Sequence, residues 1–130
     1  MSAKPSARKT VSLIVPAYKQ QATIVANLKQ LLKVLEKIRY DYEIVVVVDG
    51  NLDSTAQTIT QAKLPKVKCL QYEHNQGKFH AIRLGMQNAQ GELIMFIDAG
   101  MEIDPNGISM LLEHLEWYQA DIIVGSKRHQ

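Results

Sequence analysis

The sequence has one cysteine, Cys69, in 130 residues, so no internal disulfide can form. Inside a predicted strand that thiol is expected to be buried and inert, and the reducing cytoplasm suits it best. No apolar run approaches the roughly 18 residues of a membrane-spanning helix, and the N-terminus has no hydrophobic signal core. Membrane contact is therefore expected only peripherally, through the surface, or through sequence this chain does not hold. Strong charge is missing too: a formal net charge of +2 is too mild to argue for nucleic acid as a partner. The most biased stretch is the start, where Lys4, Arg8 and Lys9 occur without an acid. Residues 1–10 read as a basic flexible tail, with a phosphate-binding or membrane-surface arm as the alternative.

Several catalytic signatures are absent as well. No Gly-x-Gly-x-x-Gly follows the first predicted strand, and Gly77-Lys78 lacks the spaced glycine and the Ser/Thr of a P-loop, which excludes two general phosphate-binding devices. No Gly-x-Ser-x-Gly elbow supports a serine hydrolase. His74, His80, His114 and His129 show no metal-ligand spacing. What remains is ordinary globular composition, 46% hydrophobic and 22% charged, which at this length predicts one ordered domain over residues 11–130.

Along the chain, strands alternate with helices. Val11 to Val15 is a short apolar strand, expected to close at Pro16, which cannot donate to a ladder. Ile24, Leu28, Leu31, Leu32, Leu35 and Ile38 recur at spacings of three and four and predict a helix with one buried stripe, begun by Thr23 or the Gln20-Gln21 pair. Glu43 to Val48, with four consecutive valines, predicts a strand ending in Asp49-Gly50. Asn51, Asp53, Ser54 and Thr55 supply turn and cap chemistry for a short helix through Ala62. Val67 to Tyr72 is a third strand. His74-Asn75-Gln76-Gly77-Lys78 is a polar loop feeding a helix, of the kind that offers backbone N–H groups and a lysine to an anion; Gly91 is expected to cap that helix at its C-terminus.

Gly91 to Pro105 organises the chain. Leu93 to Ile97 reads as a strand buried on both faces that ends in Asp98, where an α/β sheet places an acid in the crevice between loops. A helix with a stripe of Ile108, Leu111, Leu112 and Leu115 follows, then a fifth strand, Ala120 to Val124. The expected fold is α/β: a Rossmann-like three-layer sandwich with a mostly parallel sheet of about five strands and helices on both faces.

Four blocks in this order resemble family 2 glycosyltransferases of the GT-A fold: Ser12 to Tyr18 (SLIVPAY), Val47 to Thr55 (VVDGNLDST), Asn75 to Gly85 (NQGKFHAIRLG) and Gly91 to Ala99 (GELIMFIDA). The blocks keep their spacing across about Val11 to Ser126. Within the family, Asn-x-Gly-Lys and the closing Val-Gly-Ser-Lys-Arg look most like polyprenyl-phosphate sugar transferases of the dolichyl-phosphate mannose synthase type. The resemblance implies a nucleoside-diphosphate sugar as donor and a polyprenyl phosphate at the membrane face as acceptor. It also implies a nucleotide pocket. Pro16, Ala17 and Tyr18 would form the loop over base and ribose, and Asp49 would accept hydrogen bonds from the base. Gly77 and Lys78 would lie near the diphosphate, and Asp98 with Ala99 would contact the ribose and a divalent cation, Mg²⁺ or Mn²⁺.

The pattern is broken at positions that matter. Lys19 and Gln20 stand where the family has Asn and Glu, Val48 replaces the first of two paired acids, and Gly100 replaces the second acid of Asp-x-Asp. Glu102 is a possible replacement metal ligand, or else a solvated loop acid; Asp104 is the same, or else a cap before Pro105. Loss of these acids weakens cation binding and eases the approach of an anionic diphosphate, so metal-free nucleotide binding is a coherent alternative. The acceptor-side part and its catalytic base are expected after the fifth strand, where the chain stops, and no catalytic residue is assigned. Two readings stand: the nucleotide-sugar-binding portion of a glycosyltransferase, or a non-catalytic nucleotide-binding or assembly module that keeps the fold and could pair as a homodimer through exposed apolar surface.

Overall fold

The computed structural model of the chain describes residues 10–38, 40–97 and 122–124, the last three by their backbone. Eight elements follow in order: β1 (Thr10–Ala17), α1 (Ile24–Leu35), β2 (Asp41–Asp49), α2 (Thr55–Ala62), β3 (Val67–Tyr72), α3 (Lys78–Gln87), β4 (Leu93–Phe96) and β5 (Ile122–Val124). The five strands form one sheet in the order β3-β2-β1-β4-β5, every pairing parallel. Parallel neighbours need crossovers, which the three described helices supply from β1 through β4.

Strand alternation sorts the core into two layers. Val11, Leu13 and Val15 of β1, Ile44, Val46 and Val48 of β2, and Leu93 and Met95 of β4 share one cluster with Ile24, Leu28, Leu31 and Leu35 of α1 and Ile59 of α2. Ile14, Val45 and Val47 turn the other way and meet Ala81 of α3. Helices therefore cover both faces, as the unbroken apolar strands require. Each fully buried Leu, Ile or Val side chain contributes roughly 1.5–3 kcal/mol.

Four expectations are corrected in detail. Pro16 does not close β1; it lies inside it, paired with Val47. Ile97 donates its N–H to the Ile14 carbonyl at 3.0 Å, so the main-chain groups of Ile14, and by alternation the position of Pro16, face β4, whose last residue is Phe96. The missing N–H thus falls at a strand end and breaks no ladder bond to β2. The stripe of α1 stops at Leu35, because the N–H groups of Lys37 and Ile38 bond back three residues to Val34 and Leu35. This tightens the last turn and still lays Ile38 against the core. In β4, Leu93 and Met95 are buried but Ile94 and Phe96 only half-buried, so burial on both faces is incomplete.

Gly91 is not the cap of α3, which ends at Gln87 with Asn88 as its cap. Gly91 instead donates its N–H to Ser12 Oγ at 2.8 Å, and a Cβ there would stand 2.6 Å from both that oxygen and the Thr10 carbonyl oxygen. Close approach of backbone to backbone, not a left-handed cap, calls for glycine at this point. Ser12, fully buried, donates in turn to Glu43 Oε2 at 2.6 Å, which also accepts the Gln90 N–H at 2.7 Å. Lys68 lies 3.6 Å from the same carboxylate. This polar knot closes the amino edge of the sheet.

Cys69 is half-buried and packs against the larger cluster; burial pushes its thiol above the ordinary value. Of the tail expected over residues 1–10, Thr10 is instead the first residue of β1, and residues 1–9 lie outside the described residues, as do the helix expected after Pro105 and Asp98, Ala99, Gly100, Glu102 and Asp104. No described helix is long and apolar enough to cross a membrane.

Candidate functional site

Between β3 and β4 the chain passes from one side of β1 to the other. The carboxyl ends of β1 and β4 therefore flank a switch point, the place where an open α/β sheet leaves a crevice between diverging loops. The described loops at the carboxyl edge of the sheet are those after β1, β2 and β3, of which the loop after β1 adjoins this switch point directly.

Asp49 is the last residue of β2 and only 7% exposed. Strand parity turns it to the α3 face, the opposite side from Val48, and the β2–β3 register sets it beside Tyr72. Its Oδ1 accepts the Tyr72 hydroxyl at 2.5 Å and the Gln76 N–H at 2.7 Å; its Oδ2 accepts the Gly77 N–H at 3.1 Å. Burial raises the carboxyl pKa, but these three donors and the nearby His80 outweigh it and hold the group below its ordinary value. The Tyr72 phenol moves upward, first through burial and then through the bond to Asp49 and its charge. His80 stands edge-on to the Tyr72 ring, 5.0 Å between centroids.

Gly77 has φ +99° and ψ 160°, a conformation that side chains exclude. It lets the chain turn sharply from the loop into α3 while its N–H reaches Asp49. The first turn of α3 has no acidic residue and no side-chain cap, and Lys78 and Phe79 are exposed there.

The loop after β1 is fastened to the loop after β2. Gln20 donates its N–H to Thr55 Oγ1 at 3.0 Å, and Gln21 Oε1 accepts the Ser54 N–H at 3.0 Å. Asp53 Oδ1 accepts both the N–H and the hydroxyl of Thr55. Burial raises Asp53, and the Thr55 bonds with the Lys19 charge bring it below its ordinary value. Lys19 has φ +53° and its ammonium lies 5.6 Å from the Tyr18 ring centre.

Of the residues singled out from the sequence, Asp49 and Gly77 are bonded directly, and Lys78 follows Gly77 at the head of α3. Pro16 and Ala17 are strand residues, both buried, so the expected loop over a ligand begins only at Tyr18, which is 43% exposed. Asp98, Ala99 and Glu102 are outside the described residues. Sequence reasoning missed Tyr72 and Gln76, whose roles depend on register. It read Gln20 and Gln21 only as substitutions or helix starters, not as ties to Ser54 and Thr55.

A parallel α/β sheet with helices on both faces and preorganised loops around its switch point defines a Rossmann-like domain that takes ligands at the carboxyl edge of its strands. The chain belongs to Glycosyl transferase family 2, whose description matches residues 12–130. Over 120 residues it is 32% identical to the uncharacterized glycosyltransferase YkcC of Bacillus subtilis (strain 168), covering 90% of this chain and 37% of that protein. It is 32% identical over 133 residues to the dolichyl-phosphate beta-glucosyltransferase of Drosophila melanogaster, covering 92% of this chain and 41% of that one. The fold matches, with a TM-score of 0.71 at 23% identity, the mannosyltransferase PcManGT from Pyrobaculum calidifontis, solved in complex with GDP-Man and Mn²⁺. That match covers 88% of this chain and 34% of the other, and it makes the fold GT-A. The chain thus spans well under half of each of these proteins.

The described residues do not fit a divalent cation: among them no group of three His, Cys, Asp or Glu side chains could hold a metal ion. Asp49 is occupied by three donors, and Asp53 Oδ1 by Thr55.

Proposed function

We propose that this chain is the nucleotide-sugar-binding part of a glycosyltransferase that passes a sugar from a nucleoside diphosphate to a polyprenyl phosphate. The observation that carries this reading is the match to Glycosyl transferase family 2 over residues 12–130, together with carboxyl-edge loops fastened by hydrogen bonds to one another and to Asp49. The relative from Drosophila melanogaster is named for dolichyl phosphate, and PcManGT holds GDP-Man; both support the choice of donor and acceptor class. In this reading Tyr18 covers the base and ribose side. The Asp49–Gly77 pair sets the base-side loop, and Lys78 with the first turn of α3 faces the diphosphate, where a cation and helix N–H groups offset leaving-group charge. By the sequence resemblance, Asp98 and Ala99 are further nucleotide contacts in this reading, and Asp98, with Glu102 as the alternative second ligand, would hold a Mg²⁺ or Mn²⁺ ion.

Calorimetric titration of UDP, GDP and their sugars, with and without Mn²⁺, tests the reading. Binding of one nucleotide in preference to the other is the expected result, and absence of binding at millimolar concentration would overturn it. One observation favours a second reading, a module that binds nucleotide without turnover: Val48, in place of an acid, is a core residue at 2% exposure. Nucleotide binding without sugar transfer to a polyprenyl phosphate, measured with this chain joined to an acceptor-side part, would select it.

A further inference from the structure

We propose that Tyr72 is a positioning residue of the crevice: its phenol, acting through the Asp49 carboxylate, sets the Gln76–Gly77 turn and with it the first turn of α3. A carboxylate between two backbone N–H groups could swing about its own axis and bond them in several ways. Here Oδ1 also accepts the Tyr72 hydroxyl, which fixes the carboxylate with Gln76 on the same oxygen and Gly77 on the other. The Tyr72 ring is itself fixed, half-buried among Ile14, Val45, Val47 and Ala81 and edge-on to His80 of α3. Its hydroxyl therefore comes from a rigid platform that spans β3 and α3, and the link Tyr72, Asp49, Gly77 ties three elements at one point. The Asp49 carboxylate has about four acceptor positions and three are filled. Its main effect on a ligand is thus exerted through the loop it orders rather than by direct contact.

The consequence for a ligand rests on the nucleotide-site reading above; the consequence for the loop does not. Tyr72→Phe keeps the ring and removes only the hydroxyl. Ser12→Ala, in the knot at the opposite edge of the sheet, serves as a control that lowers stability without touching this link. In the free protein, hydrogen exchange at the Gln76 and Gly77 amides is expected to quicken about tenfold in Tyr72→Phe, the scale of one lost hydrogen bond to a charged group, and their amide proton shifts to move selectively. Exchange and shifts at these two amides no different from those in Ser12→Ala would overturn the proposal. With UDP and GDP as probes, the Kd of whichever binds is expected to rise severalfold in Tyr72→Phe and to stay unchanged in Ser12→Ala. An unaltered Kd beside a loosened loop overturns the step from loop to ligand. If the unmodified chain binds neither nucleotide, the function reading fails, and the free-protein measurement still decides the role of Tyr72.

Discussion

At the scale of the residue, a strand-end carboxylate has two possible employers, the protein and a ligand, and in Asp49 the protein has most of it. Three donors from β3 and the following loop converge on its two oxygens. Asp49→Asn keeps the size but turns an amide NH₂ toward at least one N–H donor and removes the charge that strengthens the other bonds. We expect it to cost about 1.5–3 kcal/mol, the worth of hydrogen bonds to a buried charged group, read as a lower urea midpoint. The acid itself was legible in the sequence, because an apolar run ending in Asp-Gly marks a strand end. Its partners were not: Tyr72 lies 23 residues away, and only the β2–β3 register brings the two side by side.

Among the elements, α3 shows how closely a helix must approach the sheet to bring its first turn to the crevice. Gly85 faces the sheet, and a Cβ at this position would stand 2.6 Å from Ile14 Cγ2 and 3.2 Å from Val47 Cγ2. Ile14 is fully buried and cannot give way freely. Gly85→Ala gains about 1 kcal/mol of helix propensity and loses roughly 1–3 kcal/mol to overpacking. We expect a net loss of stability in chemical denaturation, with α3 displaced outward and weaker nucleotide binding beside it. The helix was readable from its apolar positions, and the reason for its glycine was not. The same holds at Pro16: the sequence marks a residue without a donor, whereas its harmless place inside β1 depends on which neighbour that face meets.

For the whole molecule, the three acids among the described residues with lowered pKa values lie at opposite ends of the sheet: Glu43 at the amino edge, Asp49 and Asp53 at the carboxyl edge. In Glu43, as in the other two, burial raises the carboxyl pKa and hydrogen bonds, here from Gln90 and Ser12 with the Lys68 charge, more than reverse it. Each folded-state pKa lies below its unfolded value, so the stabilisation is complete above the ordinary carboxylate range and is lost as pH falls through the folded pKa values. Thermal unfolding is therefore expected to be level near neutrality and to drop steadily below about pH 4 to 5. In Asp49→Asn that drop should be shallower, since one of the three linked groups is gone; an unchanged acid limb would contradict the role given to Asp49.

By itself the sequence determined the alternation of strands and helices, the apolar faces of α1 and β2, the acid at the end of β2 and the glycine loop before α3. These follow from periodicity and local backbone chemistry, which act over a few residues. Tertiary structure alone decided what those features meet. Parity of the strands turned Asp49 toward α3 and Val48 into the core. Register set Tyr72 beside Asp49, and close approach at the amino edge gave Gly91 to Ser12 rather than to the end of a helix. Such choices depend on contacts between residues 23 to 79 positions apart, which no local pattern encodes.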